Sequence, residues 1–217
     1  KGAMMSHLNV LARLSSWGWE FGLNASDVVL IPGPIFHMSF SSIALITLAV
    51  GGRVVLMRDF DAASALDLMG RFGVTWSFLV PKMISLLLEA MTAGGDRQAG
   101  ASLRGLLSSG SSLPKPVLEA LARNFPGVRI TDAYGWTETG WVSLCRHEDL
   151  LRGKSSVGRA AFGCEVAILD GEGRELPPGS VGEIYAANPV TFLGYYGNPT
   201  ASAAMRRGTW ETGGDVG

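Results

Sequence analysis

The chain has 217 residues, of which 47% are hydrophobic and 17% are charged, and its formal net charge is −1. This composition excludes a disordered chain, and the balanced charge excludes a general electrostatic affinity for nucleic acid. The two cysteines, Cys145 and Cys164, exclude a disulfide scaffold and are expected to be small core residues. No clean apolar run approaches the ~20 residues that a membrane-spanning helix needs, so no transmembrane segment is predicted.

Strand-like and helix-like apolar runs alternate along the first 131 residues. Strands are predicted at residues 28–31, 53–57, 74–80, 103–107 and 128–131. Helices are predicted over residues 40–50, after an N-cap at Asp61, from Pro81 to about Met91, and from Pro114 onward. Repeated alternation of this kind predicts an α/β fold with a mostly parallel sheet flanked by helices.

The sequence pattern changes near residue 160. Short alternating strands at residues 165–169 and 181–186 are separated by Gly and Pro turns, which predicts a small antiparallel unit. We therefore divide the chain into an α/β subdomain over residues 1–160 and the start of a β-rich subdomain over residues 161–217. Because the chain begins at Lys1 and stops just after an acidic turn, with no signal peptide before its first helix, we expect a fragment that is truncated in the second subdomain.

Two stretches that follow predicted strands carry small and polar residues, at residues 108–112 and 132–140. Parallel sheets bind ligands at the carboxyl ends of their strands, so both stretches are expected at one binding edge. In the second stretch, Tyr134 can stack on a flat base, Gly135 allows a close approach, and Thr137 can donate to a phosphate oxygen. Glu138 near phosphates requires a cation between them, and Mg²⁺ takes such oxygen ligands. Taken alone, the stretch fits a strand-end loop with an aromatic plug and a solvated acid equally well.

A series of short motifs, in order along the whole chain, resembles the adenylate-forming superfamily of acyl-CoA synthetases, firefly luciferase and peptide-synthetase adenylation domains. Residues 134–138 resemble its YGxTE motif, and residues 109–111 lie where it usually shows Gly-Gly-Ala. The other matching segments are residues 1–2 with 6–9, 34–37, 80–81, 156–159, 182–184, 194–196, 198–200 and 210–215, the last resembling W-x-x-T-G-D. Each motif is weak alone, and their common order is what makes the resemblance specific.

The resemblance implies a nucleotide site built from both polar stretches. It implies that Tyr134 stacks on adenine, that Thr137 bonds the α-phosphate, and that Glu138 holds Mg²⁺, which makes the last two residues the catalytic pair. Asp215 would accept hydrogen bonds from both ribose hydroxyls, which suits an acceptor-only carboxylate. Asp132 either reaches the adenine amino group or simply ends its strand. The remaining nucleotide-binding residues implied are Ser109, Gly110, Ser111, Ala133 and Gly135.

The acyl or CoA pocket is expected near Phe36, His37 and Trp136. Each of these has a structural alternative, because the aromatic residues could be ordinary core and His37 could be a satisfied structural histidine. Trp136 stands where the family often has Met or Leu, so it either narrows the acyl pocket or lies on a neighbouring surface. Gly213 stands where the family usually has Thr, although the spacing from Trp210 to Asp215 is kept.

The resemblance implies that the parent protein is an AMP-forming acid–CoA ligase. Such an enzyme would activate a small carboxylic acid, here an apolar one such as a fatty acid, with ATP and Mg²⁺, and pass the acyl group from AMP to CoA. A cytoplasmic role in fatty-acid metabolism is implied by the same resemblance. The alternatives are an acyl-AMP ligase or carrier-loading adenylation domain, and a catalytically silent nucleotide-binding fragment, because the family's phosphate loop and catalytic lysine are expected outside this chain.

Overall fold

A seven-stranded sheet organises most of the computed structural model, which describes residues 1–94, 96, 98–153 and 156–217. Its first five strands pair in parallel and its last two pairings are antiparallel, so the predicted α/β fold with a mostly parallel sheet is confirmed. In spatial order the strands are β3 (Arg53–Leu56), β2 (Val28–Ile31), β4 (Trp76–Phe78), β5 (Gly105–Ser109), β6 (Arg129–Trp136), β7 (Gly140–Cys145) and β8 (Arg159–Ala160).

Helices cover both faces of this sheet, and each face has its own hydrophobic core. One core includes Leu66, Leu87 and Leu121, and the core on the other face includes Trp17 and Ile43. The helices are α1 (His7–Phe21), α2 (Met38–Ala49), α3 (Ala62–Phe72), α4 (Pro81–Thr92), α5 (Lys115–Asn124), α6 (His147–Leu151) and α7 (Pro199–Ala204). None of them, within the described part of the chain, has the length and apolar character to cross a bilayer.

The predicted antiparallel unit is also present, as a four-stranded sheet. Its order is β12 (Arg206–Arg207), β13 (Trp210–Val216), β10 (Glu183–Ala187) and β9 (Glu165–Leu169). A further two-stranded sheet, which the sequence did not predict, pairs β1 (Ala3–Met4) with β11 (Gly194–Tyr195). Strand β8 is the last strand of the large sheet and β9 the first of the small one, and the division into two subdomains near residue 160 stays a prediction.

The largest difference from the predicted elements lies at residues 132–140, which are not a loop. Strand β6 continues through Tyr134 to Trp136 and forms a hairpin with β7, which pairs Trp136 with Gly140. The strand was predicted to end at Thr131, and the residues that follow include Asp132 and Gly135, which are poor strand formers. Pairing with β7 overrides that preference, so the two clefts described below form around a hairpin rather than a free loop.

Neither cysteine forms a disulfide among the residues that the structure describes. Cys145, at the end of β7, is buried as expected, whereas Cys164 is only partly buried, and its thiol donates to the Glu165 carbonyl over 3.5 Å. The expectation that both are core residues is therefore correct for Cys145 and incomplete for Cys164.

A buried carboxylate joins the starts of three parallel strands, at the sheet edge opposite the carboxyl ends. Asp27 is 1% exposed and accepts from Thr75 Oγ1 at 2.7 Å and from Arg104 Nε at 2.8 Å. Burial by itself raises the pKa of Asp27, but the hydrogen bonds from Arg104, Thr75 and the Asn24 amide outweigh it and bring the pKa below its ordinary value. The charged form of Asp27 therefore stabilises the fold.

Replacing Asp27 with Asn is expected to destabilise the protein by about 2–3 kcal/mol at pH 7, because the half-exposed guanidinium of Arg104 loses its anionic partner. A group with a lowered pKa stabilises the native state above its unfolded pKa, and this contribution is lost as the pH falls through the folded pKa. Urea unfolding should therefore show a gap between wild type and D27N at pH 7 that closes in strong acid. A constant gap would assign the effect to packing rather than to charge.

Candidate functional site

A cleft of about 840 Å³ lies at the carboxyl ends of β5 and β6. Its walls come from the turn after β5, from the last residues of β6 and from the end of β13, which brings Asp215 to the cleft from the small sheet. Eight of the nucleotide-binding residues that the resemblance implies line this cleft, and Thr137 does not. The eight are Ser109, Gly110, Ser111, Asp132, Ala133, Tyr134, Gly135 and Asp215. Residues that lie about 100 positions apart in the sequence therefore share one cavity.

Asp132 supplies a partly buried acceptor at this cleft. Its Oδ2 accepts the Leu113 amide at 3.3 Å, and its Oδ1 is buried without a hydrogen-bond partner among the described residues. Burial raises the pKa of Asp132, while the Leu113 amide and the neighbouring Ser108 hydroxyl act in the opposite direction. A buried acceptor without a partner costs free energy, so this oxygen is suited to meet a donor on a ligand in the cleft.

Tyr134 and Asp215 contact each other directly across the cleft mouth. The Tyr134 hydroxyl donates to Asp215 Oδ2 over 2.7 Å. Burial of the phenol, together with the neighbouring carboxylate charge, raises the pKa of Tyr134 well above its ordinary value, so the hydroxyl stays a donor at neutral pH. Asp215 is therefore held against the aromatic ring by a defined contact instead of projecting freely as a turn acid.

A second cleft of about 690 Å³ lies on the other side of the β6–β7 hairpin tip. Thr137 and Glu138 line it together with Phe36 and His37, so four of the predicted catalytic and acyl-pocket residues are brought together. One end carries the cationic side chains of Lys1 and Arg13. The apolar part of the lining comes from Met5, Val10, Phe36, Met38 and Leu45.

Trp136 does not join this second cleft. A Cβ atom added to Gly213 would lie 3.1 Å from Trp136 Cδ2, so the indole rests on β13 instead. Its ring also meets the Tyr134 ring edge-on, with the centroids 5.8 Å apart. Successive strand residues point to opposite faces, which places Trp136 on the side of Tyr134 and away from the side that Phe36 and His37 occupy. Of the two possibilities considered for Trp136, the structure therefore agrees with the second, in which the indole lies on a neighbouring surface.

The packing of the hairpin also requires glycine at position 135. A Cβ atom at Gly135 would lie 2.0 Å from the Gly140 carbonyl oxygen and 2.8 Å from the Trp141 Cα. The missing side chain thus allows the two strands of the hairpin to approach each other where their register shifts, between Tyr134 and Gly135. Its contribution to a ligand site acts through the hairpin that carries Tyr134 and Glu138.

Tyr195 orients Glu138, a role that the sequence did not predict. The Tyr195 hydroxyl donates to Glu138 Oε1 over 2.5 Å, and Lys1 Nζ lies 4.8 Å from the centroid of the same ring. Burial, and next the Glu138 carboxylate, raise the pKa of Tyr195 to about 12, so it remains a donor. Residues 194–196 belong to one of the matching motifs, and this segment is held near Glu138 by the Phe192 amide, which donates to the Glu138 carbonyl over 2.7 Å, while Tyr195 pairs with Ala3 of β1.

Arg13 is the second residue that sequence reasoning missed. It is 4% exposed, and its Nη2 donates to the carbonyls of Thr137 and Val190, both at 3.4 Å. Burial lowers the pKa of the Arg13 guanidinium to about 10, so the side chain remains cationic at neutral pH. Arg13 therefore fixes the turn that carries Thr137 and Glu138 and places a positive charge beneath it. The only sequence signal was an arginine within an otherwise apolar stretch of a helix.

The oxygen chemistry of Glu138 fits Mg²⁺. Its carboxylate is partly exposed to the second cleft, and Oε1 is fixed by Tyr195, which leaves Oε2 for a hard cation. No cluster of three or more His, Cys, Asp or Glu side chains suited to a metal occurs within the described ranges. Mg²⁺ is commonly held by one or two carboxylates plus substrate phosphates, so a single carboxylate is a sufficient contribution from the protein.

Replacing Tyr195 with Phe in the full-length protein is expected to raise the Mg²⁺ concentration for half-maximal activity about tenfold, because Glu138 loses the donor that orients it. Tyr196→Phe is the matched control, since that neighbouring ring is 81% exposed. An unchanged Mg²⁺ requirement in Y195F, with a lowered melting temperature, would make the Tyr195 hydroxyl purely structural.

A family model described as AMP-binding enzyme matches residues 1–196 of the chain. Among curated relatives, a fatty acid–[acyl-carrier-protein] ligase, ScoC, from Streptomyces coeruleorubidus is 32% identical over 228 residues, which include all of this chain and 43% of the relative. A 4-coumarate–CoA ligase from Oryza sativa is 31% identical over 232 residues, with 100% of this chain and 40% of the relative covered. The chain thus spans less than half the length of these relatives.

Solved structures also match this chain over almost its whole length, and the chain again covers less than half of each. The O-succinylbenzoate coenzyme A synthetase of Bacillus subtilis in complex with AMP superposes with a TM-score of 0.89 and 28% identity, covering 100% of this chain and 44% of that chain. A second structure of that synthetase contains ATP and a magnesium ion; it has a TM-score of 0.89 and 27% identity, and covers 99% of this chain and 44% of that one.

Proposed function

The chain belongs to the family of AMP-binding enzymes, and we propose that the protein containing it is an AMP-forming acid–thiol ligase. In this proposal the protein joins a small carboxylic acid to the α-phosphate of ATP and then passes the acyl group to a thiol. CoA is the proposed acceptor. Fatty or other apolar acids are the proposed substrates, and the cytoplasm, where ATP and CoA are available, is the proposed location.

One observation carries this proposal: residues that follow each other closely along one hairpin line two clefts of different chemistry. Tyr134 and Gly135 line the first cleft, and Thr137 and Glu138, two or three residues further on, line the second. A nucleotide in the first cleft would direct its phosphates toward Thr137 and Glu138. An acid in the second cleft would bring its carboxylate to the same point. Adenylation needs this geometry, because its rate depends on holding two reactants in contact.

The first half-reaction brings together two negatively charged groups. An oxygen of the carboxylate bonds to the α-phosphorus, the bond from that phosphorus to the bridging oxygen breaks, and pyrophosphate leaves. Because like charges repel, positioning and positive charge must supply most of the rate enhancement. The Thr137 hydroxyl, exposed at the hairpin tip, is proposed to donate to an α-phosphate oxygen, and the cations of Lys1 and Arg13 reduce the repulsion.

Glu138 is proposed to hold Mg²⁺, which would neutralise phosphate charge when bound. In the first cleft, Tyr134 is proposed to stack on adenine and Asp215 to accept from the ribose hydroxyls. The unpartnered Asp132 Oδ1 would accept from the exocyclic amine of adenine. Guanine carries a carbonyl oxygen at the corresponding position and would meet this acceptor with repulsion, so the protein should prefer ATP to GTP.

The second cleft also indicates the class of acid. Its apolar lining includes Phe36, Met38 and Leu45, and no carboxylate other than Glu138 lines it among the described residues. An acid with an apolar body fits such a lining. Phe40 does not line this cleft and packs in the core against Phe78, with ring centroids 4.8 Å apart.

A carrier protein is the second candidate acceptor, favoured by the similarity to the fatty acid–[acyl-carrier-protein] ligase. In the second half-reaction the thiol sulfur attacks the acyl carbon and AMP leaves, whichever molecule carries the thiol. Supplying preformed acyl-adenylate together with CoA or a phosphopantetheinylated carrier protein distinguishes the two acceptors.

The test is acid-dependent exchange of labelled pyrophosphate into ATP by the full-length protein, with a panel of fatty, aromatic and short acids. We expect exchange with apolar acids and much less with GTP in place of ATP. Lack of exchange with every acid would refute the ligase proposal. The chain of 217 residues should be assayed beside it, because exchange by this chain alone would show that it is more than a silent nucleotide-binding fragment.

A further inference from the structure

Two side-chain contacts join the end of β6 to the end of β13. The Tyr134 hydroxyl donates to Asp215 Oδ2 over 2.7 Å, and the Trp136 indole rests on Gly213. The two contacts are two residues apart on both strands, and on β13 they lie where its pairing register with β10 shifts. They connect the seven-stranded sheet to the four-stranded sheet directly at the mouth of the first cleft.

Asp215 needs such a contact if it is to act as a binding group. It lies on an exposed strand end, where a short carboxylate can adopt several rotamers and is well hydrated. Tyr134 is the side chain, among those described, that donates to it. The tyrosine itself is fixed, because its backbone pairs with Ser143 in the hairpin and its ring packs edge-on against Trp136.

We propose that the Tyr134 hydroxyl is a positioning group, which holds the Asp215 carboxylate in the orientation that accepts the ribose hydroxyls of ATP. The proposal rests on the ligase function proposed above and adds a residue to it. One side chain would then serve both halves of the nucleoside, the base through its ring and the sugar through its hydroxyl. A carboxylate offers about four acceptor positions, so Asp215 can accept from Tyr134 and from a ribose diol together.

The contact between Trp136 and Gly213 sets the spacing that this hydrogen bond requires. A side chain at position 213 would begin 3.1 Å from Trp136 Cδ2 and 3.2 Å from Cε3, closer than ordinary carbon contacts. The indole or the strand would then have to move, and Asp215 lies two residues further along that strand. At two positions this chain departs from the residues usual in the family: position 136 has a bulky side chain and position 213 has no side chain. These two departures are therefore a matched pair in space.

The experiment compares ATP with 2′-deoxy-ATP and 3′-deoxy-ATP in acid-dependent pyrophosphate exchange by the full-length protein. Wild type is expected to prefer ATP to both analogues, and D215A is expected to lose this preference. Tyr134→Phe retains the aromatic face and removes the donor. We expect it to reduce the preference about fivefold to tenfold, mainly by raising the KM for ATP, because a hydrogen bond to a charged group is lost.

Each other outcome decides against the proposal. An unchanged preference in Y134F would limit Tyr134 to stacking. If Y134F lost the same share of exchange activity with ATP and with the deoxy analogues, the Tyr134 hydroxyl would act on the base and not on the ribose. Tighter ATP binding in Y134F would show that the hydroxyl competes with ribose for Asp215. Absence of exchange in wild type would contradict the ligase function itself, so the two failures are distinguishable.

A second set of variants tests the same proposal without changing Tyr134 or Asp215. Gly213→Thr is expected to reduce the ribose preference, and the double change Gly213→Thr with Trp136→Leu is expected to recover most of it, because the smaller side chain makes room. Melting temperatures of all variants separate this effect from unfolding. A double variant that is no better than Gly213→Thr alone would overturn the matched-pair part of the proposal.

Discussion

Glu138→Gln in the full-length protein is expected to lower acid-dependent adenylation about a hundredfold or more while leaving the fold intact. Glutamine keeps the length of the side chain, and its carbonyl oxygen can still accept from Tyr195. What it loses is the negative charge that attracts Mg²⁺. The measurement is pyrophosphate exchange at increasing Mg²⁺ concentrations, with the melting temperature recorded for the same preparations.

The control for this prediction is Glu172→Gln, which removes one carboxylate from an exposed turn remote from both clefts. It should change neither the exchange rate nor the Mg²⁺ requirement. If E138Q lost activity and stability to the same degree, Glu138 would be a structural partner of Tyr195. If high Mg²⁺ restored E138Q fully, its role would be confined to metal affinity, with no share in orienting the phosphates.

The parallel half of the fold follows from local sequence signals. Asp61 caps α3 by accepting the Ser64 amide, and Pro81 begins α4, both as predicted. Boundaries were less accurate: β4 covers three residues of the predicted 74–80, and β5 runs two residues past the predicted end at 107. These differences arise because pairing between strands, rather than hydrophobicity alone, decides where a strand ends.

The candidate site was predictable only where its residues belong to contiguous motifs. The segment from Tyr134 to Glu138 could be found because its chemistry is concentrated in five residues. Arg13 and Tyr195 could not be found in this way, because their importance lies in contacts with residues 124 and 57 positions away. Trp136 belongs to a contiguous motif, but its place in the motif did not determine which side of the hairpin its ring would occupy.

Gly135→Ala is expected to destabilise the protein by about 3 kcal/mol or more and to abolish adenylation. The added methyl would meet backbone atoms, the Gly140 oxygen at 2.0 Å and the Trp141 Cα at 2.8 Å, and backbone cannot rotate aside as a flexible side chain can. The β6–β7 hairpin must therefore open or shift. Urea unfolding of G135A, with exchange assayed well below its midpoint, measures both effects.

Gly18→Ala is the matched control, and its effect should have the opposite sign. Gly18 lies inside α1, and an added Cβ would be 3.6 Å from Ile46 Cγ2, an ordinary contact, so alanine is expected to stabilise by about 0.5–1 kcal/mol. If G135A were as stable as wild type but inactive, the close approach of the strands would not need glycine. Gly135 would then act on the ligand itself, because Tyr134, Thr137 and Glu138 would keep their positions on an intact hairpin.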